Sequence, residues 1–168
     1  MIDFLTHYYK SETTPFKSLS ALPENEAIKK MNELYVDNEI WGRFKDPSGY
    51  LKQRKETEMC LREKFITKGG NPQEDYPIYM VLGECEKIER NIKEENLAKI
   101  QIPLTNFKEE EISFTYIDSM FSFQLSQEKS LEYYQPEYHG KVFNLSEICS
   151  ILKKRGLPEE GWWGNGYH

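Results

Sequence analysis

Small aliphatic residues are scarce in this sequence: alanine and valine occur three times each among 168 residues. Any core must therefore be built from Tyr, Phe, Ile and Leu. The aromatic share of 14% supplies that material and argues against a disordered chain. Long apolar runs are also missing. No window approaches the roughly 18 consecutive apolar residues of a membrane span, and Met1 to Thr6 lacks the basic start and apolar run of a secretory signal. A basic excess is missing too, with 22 Lys and Arg against 28 Asp and Glu, a net charge of -6. That balance excludes the electrostatic footprint of a nucleic-acid binder and offers nothing to an anionic membrane. It suits plain solubility or a basic protein partner.

Paired cysteines are absent. Cys60, Cys85 and Cys149 make an odd set with no CxxC and no Cys/His ligand spacing. Neither a disulfide framework nor a zinc site is implied, and the expectation is free thiols in a reducing cytoplasm. Nucleophile signatures such as G-x-S-x-G and S-x-x-K are missing as well. Gly69-Gly70 follows a helical pattern rather than a strand, so no phosphate loop is indicated. No cofactor is implied.

What remains is a mixture of strand and helix patterns. Ile2, Phe4, Thr6 and Tyr8 alternate with Leu5, His7 and Tyr9, which predicts a first strand. A helix is expected from about Pro23, with Ala27, Ile28, Met31, Leu34 and Tyr35 on one face. Asp46 and Pro47 have the chemistry of an N-cap and a first helical residue, and Gly69-Gly70 then Asn71-Pro72 that of a stop. They predict a helix of about 20 residues, roughly 30 Å long. Ile78–Leu82 reads as a buried strand closed by Gly83, and a short helix carries Cys85, Ile88 and Ile92. Further strands are predicted over Ile100–Leu104 and Ile112–Tyr116. Asp118-Ser119 looks like a hairpin turn into a strand through Phe121, Phe123 and Leu125. Val142-Phe143 suggests one more short strand. Asn144 and Glu147 have the spacing of a capping box ahead of a helix that Gly156 and Pro158 terminate. The connection between the strands near Ile100 and Phe114 is too short for a parallel crossover. The expectation is a single α+β domain over 1–158, with a mixed or mainly antiparallel sheet of about five strands and three to four helices. A Gly/Trp-rich tail, 159–168, follows it.

Candidate chemistry lies in three places. On the long helix, Arg54, Glu58 and Arg62 are spaced i, i+4, i+8, the first two within and Arg62 at the border of the sector that holds Tyr50, Leu51, Thr57, Leu61 and Phe65. Charges on an apolar stripe read either as an ion ladder at the rim of the core or as a guanidinium pair lining an anion site. His7, mid-strand beside Tyr8 and Tyr9, is the candidate general base; a partly buried residue with a satisfied nitrogen is the plainer reading. His139, in Tyr138-His139-Gly140, reads as an ordinary loop residue. Tyr133, Tyr134, Tyr138, Trp162 and Trp163 are large rings in irregular segments. They suit either interface anchors or a cover over the sheet.

The stretches His7-Tyr8-Tyr9, Pro15 to Pro23, Tyr50 to Arg54, Phe65 to Pro72, Ile78 to Gly83 and Ile112 to Met120 resemble a family of small uncharacterised bacterial proteins. The resemblance covers most of the chain and implies no activity. The layout is also similar to that of ADP-ribosyltransferases, which place a His or Arg on an early strand, a position His7 could occupy. The second-strand Ser/Tyr and the catalytic Glu of those enzymes have no matching motif here. The expected function is a soluble cytoplasmic binding protein that acts through a protein partner, as immunity or inhibitor proteins do, or through a small anionic ligand. The alternative is a small enzyme using His7 with Arg54 and Arg62 on a phosphorylated or nucleotide substrate.

Overall fold

The computed structural model describes residues 2–37, 41–92, 96–129 and 133–157. Its α-helices and strands run in the order β1 (Phe4–Lys10), α1 (Glu24–Leu34), α2 (Pro47–Thr67), β2 (Val81–Leu82), α3 (Glu86–Asn91), β3 (Leu97–Pro103), α4 (Ser119–Glu128) and α5 (Leu145–Arg155). The class is α+β. Among the described residues the sheet has three strands rather than five, in the order β2-β1-β3 with both pairings antiparallel, and five α-helices stand where three to four were expected.

The chain divides into two compact units, Met1–Lys55 with Glu74–Phe107, and Glu56–Gln73 with Lys108–His168. The first unit holds the sheet. Its β1 pairs with β3 along its whole length, with His7 opposite Ile100, and with β2 only at Leu5 and Thr6. Ala27, Met31, Phe44 and Leu51 form its buried apolar cluster, flanked by Leu19, Leu22, Ile28, Leu34, Trp41 and Tyr50. The second unit packs Tyr116, Tyr138, Phe143 and Ile148.

Helix ends follow the sequence closely. The Asp46 carboxylate accepts the Gly49 N–H at 3.0 Å, as an N-cap should. At the other end of α2, Gly69 (φ +94°) donates to the Ile66 carbonyl and Gly70 to that of Phe65, both at 2.9 Å. This pair of bonds is the Schellman termination. Asn144 accepts from the Glu147 N–H while the Glu147 carboxylate accepts from the Asn144 N–H, a complete capping box.

Four expected strands differ. Phe121, Phe123 and Leu125 lie in helix α4, whose N-cap is Asp118, accepting the Phe121 N–H. The alternation arose because α4 buries Ser119 and Ser122 together with Leu125, so small polar residues occupy positions where helical apolar periodicity would show. Ile112–Tyr116 and Val142-Phe143 form no strands and share only an isolated bridge, Phe114 to Phe143. The strand expected over Ile78–Leu82 shrinks to Val81–Leu82, since the Tyr79 carbonyl is taken by a side chain. The 159–168 tail lies outside the described residues.

Candidate functional site

Buried His7 organises one surface of the first unit. Its Nε2 accepts the Phe16 N–H at 2.9 Å, and its Nδ1 lies 3.1 Å from the Tyr79 carbonyl. A backbone N–H can only donate and a carbonyl can only accept. The ring is therefore neutral with its proton on Nδ1. Both nitrogens are committed, and the imidazole is 6% exposed. Its ring stacks on Phe16 at 4.7 Å and on Tyr9 at 5.8 Å.

Phe16 has φ +57°, a left-handed conformation that a bulky residue adopts only under restraint. The hydrogen bond and the stack to His7 provide that restraint. Phe16 and Tyr79 are nonetheless 38% and 37% exposed. One buried imidazole thus anchors two outward aromatic residues by their backbones. Arg54 fixes the second from below: its guanidinium lies 4.8 Å from the centre of the Tyr79 ring, while its Nε donates to Ser20 Oγ at 3.1 Å.

The opposite face of β1 carries a polar cluster. The Tyr8 hydroxyl donates to Glu89 and accepts the Cys85 N–H, each at 2.9 Å. Lys99, opposite Tyr8 in the register, reaches Glu84 and Glu89 at 2.8 Å each. Burial pushes the Tyr8 phenol up to about 12, and the Glu89 carboxylate beside it adds to the rise against the opposing Cys85 bond. Lys99's bond to Glu89 draws that carboxyl below its ordinary range. Thr6, fully buried on this face, donates to the Gly83 carbonyl.

The charged ladder of α2 divides between the units. Arg54 belongs to the first, while Glu58 and Arg62 belong to the second. Glu58 is 1% exposed and Arg62 is half-buried. The aromatic candidates also separate. Tyr138 is buried against Tyr116, at 5.5 Å, with the Arg155 guanidinium over its ring. Tyr134 is half-buried and Tyr133 exposed. Trp162 and Trp163 lie outside the described residues. His139 is buried rather than an exposed loop residue, and its Nδ1 accepts the Gln135 N–H at 2.9 Å. The following residue, Gly140, donates to Ser122 Oγ at 2.9 Å and accepts from Lys64 Nζ at 2.6 Å.

The second unit also has a cavity of about 270 Å³ lined by Phe65, Lys68, Gly69, Gly70, Glu109, Glu110 and Val142 to Asn144. At its edge Lys68 bonds Glu147, which holds that carboxyl below its ordinary range, helped by the Asn144 N–H. The three cysteines are free thiols. Among the described residues no helix is long and apolar enough to cross a membrane, and no cluster of three or more His, Cys, Asp or Glu could hold a metal ion.

Sequence reasoning singled out His7 and Arg54 but missed the residues they support. Tyr79 read as part of a buried strand, and nothing in Pro15-Phe16-Lys17 announces a left-handed phenylalanine. Compared with known proteins, the chain matches no family model, no curated protein and no solved structure.

Proposed function

We propose that this is a binding protein acting through a protein partner, which docks on the aromatic surface of Phe16 and Tyr79. The observation that supports this most is that both exposed residues hang from the two nitrogens of one buried imidazole. An anchored ring loses little freedom on binding, so more of its buried area appears as affinity. Tyrosine and arginine are the residue types that most often carry interface energy, and Tyr79 and Arg54 supply a stacked pair. The net charge of -6 favours encounter with a basic partner.

A small anionic ligand at Arg54 is the second reading, favoured by the seating of its guanidinium between Ser20 and Tyr79. Catalysis by His7 gains less support. A general base needs an available lone pair, and the lone pair on Nε2 holds Phe16.

The test is photo-crosslinking in the native host. A crosslinking residue at Phe16 or at Tyr79 should capture the same protein, and one at exposed Glu24 should not. Different captures at the two positions, or none, would remove the docking reading. Thermal shift with phosphate and nucleotides, in wild type and Arg54→Ala, decides the second: a wild-type rise that the variant loses supports an anion site.

A further inference from the structure

Resting on that reading of the surface, we propose that His7 is an acid-operated latch: a proton gained at Nε2 releases Phe16 and dismantles the docking surface. The lone pair that now accepts the Phe16 N–H would hold the incoming proton instead. The ring becomes an imidazolium with two N–H donors. Nδ1 keeps its bond to the Tyr79 carbonyl, but the Phe16 amide then faces another donor and must turn away. Phe16 is poised for that movement. Its φ of +57° is sustained by this bond and the His7 stack, so loss of the bond lets the backbone relax to an ordinary conformation.

His7 stacks against Tyr9 on its own strand and bonds the backbone carbonyl of Tyr79, whose ring lies against the Arg54 cation. Strand β3 presents Ile100 opposite it. The hydrogen bonds of His7 among the described residues are the two to backbone groups, and neither goes to a carboxylate. Imidazole is the side chain that ordinarily changes charge between about pH 5 and 8, and that is the range the experiment must span.

NMR of the full chain tests this. At about pH 7.5 the His7 proton should sit on Nδ1, with Nε2 unprotonated. On acidification toward about pH 5, Nε2 should protonate and the Phe16 amide should shift with the same midpoint. The Gln135 amide, which donates to His139, reports the other buried histidine separately. In His7→Gln the side-chain oxygen can still accept the Phe16 N–H but does not titrate, so the Phe16 amide should hold its position across the range. If that variant does not fold, coincidence of the two wild-type midpoints decides alone. A proton on Nε2 at neutral pH, a Phe16 amide that stays fixed while His7 titrates, or simultaneous loss of all amide signals would overturn the latch. Crosslinking from Tyr79 at the two pH values separates the readings. Capture at neutral pH that vanishes in acid is expected, and equal capture at both pH values overturns the latch alone. A coincident Phe16 shift with no capture at either pH overturns the docking surface and leaves the titration standing.

Discussion

The two units solve the shortage of Ala and Val in different ways. The first fills its interior with apolar volume: Met31 and Ala27 are fully buried, and Phe44 and Leu51 nearly so. The second adds buried tyrosines and serines to apolar residues such as Phe143 and Ile148, and uses polar anchors. Tyr116 points its hydroxyl at the Gly156 carbonyl, and the small face of α4 admits Gly140, whose N–H goes to Ser122. A core of volume tolerates changes of shape, whereas a core of close backbone approach tolerates almost no added atom. The first unit should therefore be sensitive to what is removed, the second to what is inserted.

The largest expected effect tests the first half of that contrast. Met31→Ala should lower stability by about 3 kcal/mol in urea denaturation, while Met31→Leu, which nearly conserves volume, should lower it by about 1 kcal/mol or less. Similar losses for both would show that shape governs this core as well. Next comes Gly140→Ala, a single added methyl. At φ +69° the new Cβ would lie within contact distance of the Ser126 side chain, whose own Cβ is 2.5 Å away. A left-handed alanine costs about 1–2 kcal/mol and overpacking about as much again, so a loss near 3 kcal/mol is expected. A loss under about 1 kcal/mol would break the comparison, since it would mean the second core yields easily.

The helix caps sharpen the contrast at smaller scale. Asp46→Ala and Asn144→Ala, one in each unit, should each cost about 1 kcal/mol. A chemical-denaturation series should find them equal, because capping is local. At Glu147, replacement by Gln keeps an acceptor for the Asn144 N–H and removes the charge that pairs with Lys68, for a loss of about 0.5 kcal/mol or less. Its lowered carboxyl gives the sign with pH. That contribution is complete above the unfolded value of about 4.3 and disappears as pH falls through the lower folded value. Glu147→Gln should flatten the acid limb of the stability profile there.

At neutral pH the smallest effect belongs to Tyr8. Its phenol, pushed up to about 12, should be among the last tyrosines to ionise in an ultraviolet titration. The neutral form is favoured by folding, so its contribution is complete below about pH 10 and is lost as pH rises through about 12. Ionisation near pH 10 would mean the hydroxyl is open to water.

Much of the fold was legible because helix ends are written in local chemistry. Asp46, Gly69-Gly70, Asn144 and Glu147 each satisfy backbone groups within a few residues, and such bonds need no knowledge of the rest of the chain. The alternation along β1 was legible for the same reason. Helix α4 was not, because its buried face is partly serine and the choice of Ser over Leu depends on Gly140, which arrives from elsewhere in the sequence. The short β2 was misjudged because the Tyr79 carbonyl bonds His7, 72 residues away, instead of joining a ladder. The candidate surface was half legible. His7 and Arg54 stood out as polar residues in apolar patterns, while Phe16 and Tyr79 derive their roles from the partners that hold them.

The peptide at Gly140 has a further consequence, for exchange with solvent. Turns without regular structure ordinarily open easily and trade their amide protons quickly. Here the N–H is given to a buried serine, the carbonyl is held by Lys64, and the residue itself is buried. Its amide should be protected from deuterium as strongly as the middle of a helix, marking within an irregular stretch a point that opens only when the packing of α4 gives way.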